Sequence, residues 1–166
     1  MRYAAYGSNL HPLRLSERIA SAELIATGFL ADRNLRFHKK SVDNSGKCNI
    51  VTGSEGVHVA VFDISVEDKT TLDRIEGVGS GYVATDLHVP GIGLCATYLA
   101  AETYIDDTLV PYSWYRELVL LGARAQRFPQ PYIDAIAATP SCEDPGVDRR
   151  AMNGRTIDRI RSQSMP

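Results

Sequence analysis

Short segments rich in β-branched and aromatic residues follow one another through the first half of the chain. These segments occupy residues 22–29, 35–39, 48–52 and 57–64. Turn-forming sequences separate them, Asp-Asn-Ser-Gly at 43–46 and Gly-Ser-Glu-Gly at 53–56. This alternation of short strands and tight turns predicts a strand-rich first half.

Helical signals flank the strands. Pro12 predicts a short helix over 13–20, because proline at the first helical position gives up only an amide that has no helical partner. Ser65 is predicted to cap a second helix, which Gly77 ends. The other predicted elements are a hairpin of 82–89 and 94–101 around a Pro-Gly-Ile-Gly turn, and helices over 113–127 and 129–138.

Size and charge restrict the class of protein. The 166 residues fit one domain, and the net charge of -2 gives no reason to expect nucleic acid or a membrane surface as partner. No stretch approaches the run of about 18 apolar residues that a spanning helix needs. We therefore expect a globular cytoplasmic protein that acts on a small molecule.

The residues that most often bind metals are dispersed. Cys48, Cys95 and Cys142 fit neither a disulfide framework nor a thiolate zinc site, and the four histidines show no metal-binding spacing. The sequence predicts free thiols and no metal site.

The sequence Tyr-Gly-Ser-Asn-Leu at residues 6–10 is the first candidate for chemistry. An apolar run breaks at Gly7, and the loop leads into the helix predicted after Pro12. Glycine lets the backbone approach a ligand closely, and amides ahead of a helix attract negative charge. The loop is predicted to present free amides to a ligand.

Glu76 is the second candidate. Asp68, Leu72 and Glu76 are spaced four apart, so a buried Leu72 would carry Glu76 toward the interior at the end of its helix. Partial burial and the negative helix end would both raise the pKa of this carboxyl toward a value useful for proton transfer. The alternative is a solvated glutamate that merely ends a helix, and spacing alone does not decide between them.

Three further segments carry weaker signals. Tyr115 lies on an apolar helical stripe, so its ring is predicted to face the interior, with the hydroxyl bonded either to backbone or to a substrate. The glycine-rich residues 77–81 leave a helix instead of opening one, which predicts a flexible exit and not a nucleotide site. The arginine-rich residues 148–162 could form a docked helix, a dimer contact or a frayed tail.

These motifs resemble the γ-glutamylcyclotransferase family. The matching segments occur in order along the chain, at residues 6–10, 30–37, 72–82, 113–115 and 122–123. Two separate motifs with collinear spacing are more specific than either one. The resemblance implies a small mixed α/β fold built on a compact mixed β-barrel with flanking helices. Residues 1–140 would form this domain, and residues 141–166 a C-terminal extension, helical or flexible.

The family's reaction cleaves γ-glutamyl amides, as in glutathione metabolism: the substrate's α-amine attacks its own γ-carbonyl, releasing 5-oxoproline and an amine or amino acid. The resemblance implies that Glu76 transfers the proton. It assigns substrate binding to Tyr6, Gly7, Ser8, Asn9, Leu10, Tyr82 and Tyr115. The implied partner is a small γ-glutamyl substrate, with no cofactor and no metal, and a homodimer is left open.

Two alternatives share these residues: a non-catalytic small-molecule binding module, and a biosynthetic enzyme that removes a γ-glutamyl protecting group. The Tyr-Gly-Ser-Asn form is more similar to the classical branch of the family than to its glutathione-specific or γ-glutamylamine branches. Val59 is a departure, since relatives often have glycine in that position. A larger side chain there could crowd a pocket wall on the leaving-group side.

Overall fold

A computed structural model describes residues 1–163, and the last three residues of the extension predicted over 141–166 lie outside it. The described chain forms seven strands and five α-helices. In chain order they are β1 Arg2–Ala5, α1 Pro12–Ser16, β2 Glu23–Leu30, β3 Arg33–Lys40, β4 Gly46–Thr52, β5 Val57–Asp63, α2 Lys69–Glu76, β6 Tyr82–Val89, β7 Gly93–Ala100, α3 Ser113–Ala125, α4 Gln130–Ala138 and α5 Val147–Gln163.

The strands form a five-stranded sheet in the order β2-β5-β1-β7-β6 and a separate β3-β4 ribbon. The β1-β7 pair is parallel and the other pairs are antiparallel. The mixed α/β class is confirmed, but the expected closed barrel is wrong. The edge strands β2 and β6 approach each other at Gly28 and Val89, yet side-chain packing replaces strand pairing there.

Helix α2 ends at Gly77, which adopts the left-handed conformation with φ 73°, as predicted. Its start is less regular. Ser65 Oγ accepts a hydrogen bond from the Asp68 amide at 3.2 Å, but the Asp68 carboxylate binds Ser21 Oγ and does not reach back to Ser65. The helix therefore begins only at Lys69, without a capping box.

The core lies between the sheet and the helices. Its centre is formed by inner-strand residues, including Val59, Val61 and Phe62 of β5, all fully buried. A second cluster of Leu118, Ile157 and Ile160 joins α3 to α5, so the arginine-rich segment forms a docked helix. No helix within residues 1–163 is long and apolar enough to cross a membrane.

Candidate active site

The structure brings the loop after β1 together with the end of α2. Strand β1 lies in the middle of the sheet beside β5, the strand that leads into α2. Leu72 is fully buried and holds α2 against the core. Glu76 therefore faces the loop, where its Oε1 accepts a hydrogen bond from Asn9 Nδ2 at 2.6 Å. This proximity is what the family resemblance implies, since it assigns the loop and Glu76 to one substrate.

Glu76 is partly buried, and burial raises the pKa of its carboxyl group above the ordinary value of 4.5. Arg18, the hydrogen bond from Asn9, Lys39 and Arg14 oppose this shift. Asn9 is oriented by Arg18, whose Nη1 donates to Asn9 Oδ1 at 3.1 Å. The pKa of Glu76 is shifted in the direction that the sequence predicted. Of the two causes expected, burial and the negative helix end, burial is the leading one.

Three tyrosines line the candidate site: Tyr6 at the start of the loop, and Tyr82 and Tyr115, which form a tyrosine wall beside Cys48. Tyr82 donates to the Cys48 carbonyl at 2.5 Å, and the Tyr115 hydroxyl accepts from the Cys48 amide at 3.1 Å. Tyr6 donates to the Tyr98 carbonyl. Burial raises the pKa of all three phenols, so they stay neutral. The partner of Tyr115 is thus backbone, one of the two possibilities that the sequence left open.

Helix α3 supports the loop of residues 6–10 on the side away from the cavity. A Cβ added at Gly122 would lie 2.5 Å from Leu10 Cβ, so α3 packs directly against the loop. Leu10 is fully buried and does not line the cavity; the prediction that it contacts substrate is therefore corrected to a packing role. Within residues 1–163, the amides of Gly7, Ser8 and Asn9 donate to no acceptor.

A small cavity lies between the loop, the helix end and the tyrosines. Its lining includes every predicted site residue except Leu10, together with residues that the sequence had not indicated: Tyr3, Cys48, Thr97 and Tyr98. Strand alternation was the only available signal for these four. The cavity volume of about 30 Å³ accommodates only one or two water molecules, so a larger ligand requires the lining side chains to move.

A second cavity of about 770 Å³ lies between the β3-β4 ribbon and α4. It contains none of the predicted site residues. The charged groups on its lining pair with one another, Arg36 with Glu55 at 2.8 Å and His38 with Asp107 at 2.6 Å. The small cavity, with its half-buried Glu76 and free amides, is chemically the better candidate despite its size.

The question raised by Val59 also has an answer in the structure. Its side chain is fully buried against Gly28 and does not line the small cavity. The larger residue therefore does not narrow the candidate site. Among the described residues, no cluster of three or more histidine, cysteine or acidic side chains could hold a metal ion.

Residues 56–136 match the sequence model of the AIG2-like family. No curated protein sequence matches the chain significantly. A solved structure of γ-glutamyl cyclotransferase superposes with a TM-score of 0.81 at 24% identity, covering 96% of this chain and 98% of that chain. An uncharacterized protein from Homo sapiens gives a TM-score of 0.76 at 27% identity, covering 87% of this chain and 90% of its own.

YkqA from Bacillus subtilis is a more distant structural match, with a TM-score of 0.65 at 18% identity. The superposition covers 85% of this chain and 55% of the YkqA chain. The sequence match and the nearly full-length structural match agree. The chain therefore shares the fold of γ-glutamyl cyclotransferase over nearly its whole length, and its residues 56–136 are similar to the AIG2-like family.

Proposed function

We propose that the protein is a cyclotransferase that converts γ-glutamyl amides to 5-oxoproline and a free amine or amino acid. The observation that supports this most directly is the hydrogen bond between Asn9 and Glu76, 2.6 Å long, in a cavity lined by tyrosines. It places a partly buried carboxyl group beside a loop with free amides. The match to the AIG2-like family and the fold shared with γ-glutamyl cyclotransferase are consistent with this chemistry.

Glu76 would move the proton. The substrate's α-ammonium must lose a proton before its nitrogen can attack the γ-carbonyl carbon, and the departing amine must gain one as its C–N bond breaks. A carboxyl group whose pKa is raised by burial exchanges protons more readily near neutral pH than an ordinary glutamate. Glu76 can therefore accept the first proton and return it to the leaving nitrogen, without any net change.

The loop would stabilise the negative charge that develops on the γ-carbonyl oxygen. The amides of Gly7, Ser8 and Asn9 point toward no acceptor among residues 1–163, and donors of this kind stabilise an oxyanion. The tyrosine wall would hold the γ-glutamyl chain folded back on itself, so that its amine lies close to its carbonyl. Binding must also displace or shift the bond between Asn9 and Glu76.

One observation favours a second candidate function, a binding module without turnover. Glu76 already accepts a hydrogen bond from Asn9 at 2.6 Å, which occupies a carboxyl oxygen that would have to carry the proton. Such a module would bind 5-oxoproline without converting any γ-glutamyl compound. A biosynthetic enzyme that removes a γ-glutamyl group would use the same residues and differ only in its leaving group.

The test is to incubate the purified protein with γ-glutamyl dipeptides and measure 5-oxoproline by mass spectrometry. We expect Glu76→Gln, which keeps the shape but cannot carry the proton, to lose about 10²- to 10⁴-fold in kcat. Glu67→Gln, an exposed glutamate ahead of the same helix, is the matched control and should keep full activity. Unchanged turnover in a folded Glu76→Gln variant would exclude this mechanism.

A further inference from the structure

Lys39 is a nearly buried lysine whose ammonium group forms no ion pair with any residue between positions 1 and 163. The residue is 5% exposed and projects from β3. Its Nζ lies 4.5 Å from the centre of the Tyr82 ring and 5.9 Å from that of Tyr104. Within residues 1–163 it donates no hydrogen bond and forms no ion pair. Partial loss of solvent lowers the pKa of this ammonium group, and contact with aromatic faces replaces only part of the lost hydration.

Two other partly buried lysines show the usual arrangement. Lys47 also lies over aromatic rings, but its Nζ donates to Asp43 at 2.9 Å and to Ser45 at 2.7 Å. Lys69 is paired with Asp73. Both ammonium groups are therefore neutralised within the protein. Lys39 differs because no carboxylate among residues 1–163 is in direct contact with its ammonium group, and only the more distant Glu76 and Asp43 act on its charge.

The unpaired ammonium lies beside the candidate active site. Tyr82, which supports it, also lines the small cavity, and the charge of Lys39 lowers the pKa of Glu76. Gly81 lies on its other side with φ 125°, where an added Cβ would be 2.7 Å from Nζ. The glycine leaves the ammonium accessible at the end of the glycine-rich segment that follows α2.

We propose that Lys39 forms a carboxylate subsite that binds the leaving group of the substrate. This proposal rests on the proposed cyclotransferase function and defines its substrate class. A carboxylate supplies the missing counter-charge and accepts the hydrogen bonds that the ammonium does not make. The substrates would then be γ-glutamyl amino acids or peptides, and γ-glutamyl alkylamines would bind more weakly.

Other cations are better placed for the carboxylate of the γ-glutamyl group itself. Arg18 is bonded to Asn9 in the loop where that group is proposed to bind. Arg14 lies on α1, which follows the loop directly, and its buried Nε has no partner in the described chain. Lys39 instead comes from β3 and contacts the tyrosine wall. We therefore assign it to the portion of the substrate that leaves.

The experiment compares a γ-glutamyl amino acid with the matching γ-glutamyl alkylamine, which lacks only the second carboxylate. KM and kcat are measured for wild type, Lys39→Met and Lys39→Arg. Lys40→Met is the matched control, because its side chain is the exposed neighbour on the same strand. The assays are run above the acid limb of each pH profile, because loss of the Lys39 charge should raise the pKa of Glu76. Under these conditions we expect Lys39→Met to raise KM for the amino-acid substrate about tenfold, with kcat and the alkylamine reaction nearly unchanged. Lys39→Arg should recover part of the loss.

Three results would overturn the proposal. An equal loss with both substrates would assign Lys39 to the γ-glutamyl carboxylate or to structure, and unchanged kinetics would remove it from recognition. If wild type converts neither compound, the cyclotransferase function fails, and calorimetric titration of the same two compounds then tests Lys39 separately. In that case, equal affinity of wild type and Lys39→Met for the γ-glutamyl amino acid would exclude the subsite.

Discussion

Two carboxyl groups, the partly buried Glu76 and the buried Asp144, have opposite electrostatic environments. Asp144 is 1% exposed and accepts hydrogen bonds from Arg149, from Trp114 Nε1 at 2.7 Å and from the Gly146 amide at 2.7 Å. The bonds from Arg149 lead the causes that hold its pKa well below the ordinary value. The pKa of Glu76 is raised, because burial outweighs a neutral amide and more distant cations.

The difference separates a structural carboxylate from one suited to proton transfer. Asp144 is fixed in its ionised form by a direct guanidinium partner, and it ties α5 to α3. Glu76 has no direct ion pair among the described residues, so its two protonation states are closer in free energy. Solvent exposure alone would predict the higher pKa for Asp144, which is the more buried group; the charge and distance of the partners reverse that order.

The two regions nevertheless touch through consecutive residues. On α3, Trp114 donates to Asp144 while Tyr115 accepts from the Cys48 amide of the candidate site. On β4, Lys47 lies 4.6 Å from the Trp114 ring centre and 4.7 Å from that of Tyr115. The surroundings of Asp144 and the candidate site are therefore in contact. Variants at Asp144 can be used to test whether a change in packing alone alters activity at the candidate site.

The largest expected effect on stability is that of Asp144→Asn. It replaces the ionised acceptor of Arg149, Trp114 and Gly146 with a neutral amide. We expect the free energy of unfolding to fall by about 2 kcal/mol, since the half-exposed Arg149 is partly screened by solvent. Denaturant unfolding measures the loss. At a temperature where the variant is folded, activity close to wild type would support a purely structural role for Asp144. A loss of activity as large as that of Glu76→Gln would contradict that role.

Tyr115→Phe probes the contact between the regions. It leaves the buried Cys48 amide without its acceptor, so we expect a loss of about 1 kcal/mol in the free energy of unfolding. Tyr104→Phe, at a 37% exposed tyrosine, is the control and should leave stability unchanged. Equal stability of the two variants would mean that the hydroxyl of Tyr115 does not support the site.

The pH dependence of stability should have opposite signs in the two regions. The folded-state pKa of Glu76 is raised, so its contribution is present below pH 4.5 and is lost as the pH rises through the folded value. Glu76→Gln should then match wild type in acid and be more stable than wild type at neutral pH. Asp144 stabilises above its ordinary value of 3.8 and loses this contribution as the pH falls. The free energy of unfolding of wild type, Glu76→Gln and Asp144→Asn, measured from acid to neutral pH, checks both contributions. If both contributions changed in the same direction with pH, the contrast between Glu76 and Asp144 would be contradicted.

The smallest expected effect is that of Asn9→Ala on the pH profile of activity. The hydrogen bond from Asn9 lowers the pKa of Glu76, so removing it should raise that pKa. The acid limb of kcat/KM should move to higher pH, in addition to any loss of substrate binding. An acid limb that stays in place would show that another group controls the profile.

The sequence predicted the parts of this structure that depend on local pattern. Gly77 ends α2 as expected, because only a residue tolerant of positive φ can turn the chain there. Helical spacing predicted the burial of Leu72 but left open whether Glu76 faces the interior, and the loop at Gly7 follows from the break after an apolar run. Their meeting was also predicted, with the help of the family resemblance.

The contacts that the sequence did not predict join residues far apart in the chain. Cys48 had been treated as a dispersed free thiol, yet its backbone holds both Tyr82 and Tyr115. The ion pair of Asp144 with Arg149 had no sequence signal, since its effect depends on burial beneath Trp114. The prediction of a closed barrel was wrong for a similar reason. Whether β2 and β6 pair depends on the curvature of the folded sheet, which the pattern of residues within each strand does not determine.

The close approach of Gly122 to Leu10 bears on any attempt to redesign the substrate range. The rear of the loop rests on helix backbone, and Gln126 fastens it further by donating to the Leu10 carbonyl at 2.8 Å. The site cannot be enlarged for bulkier substrates on the side of α3, because Gly122 has no side chain that a substitution could shorten. Libraries that aim at new specificity should instead vary the aromatic wall and keep position 122 as glycine.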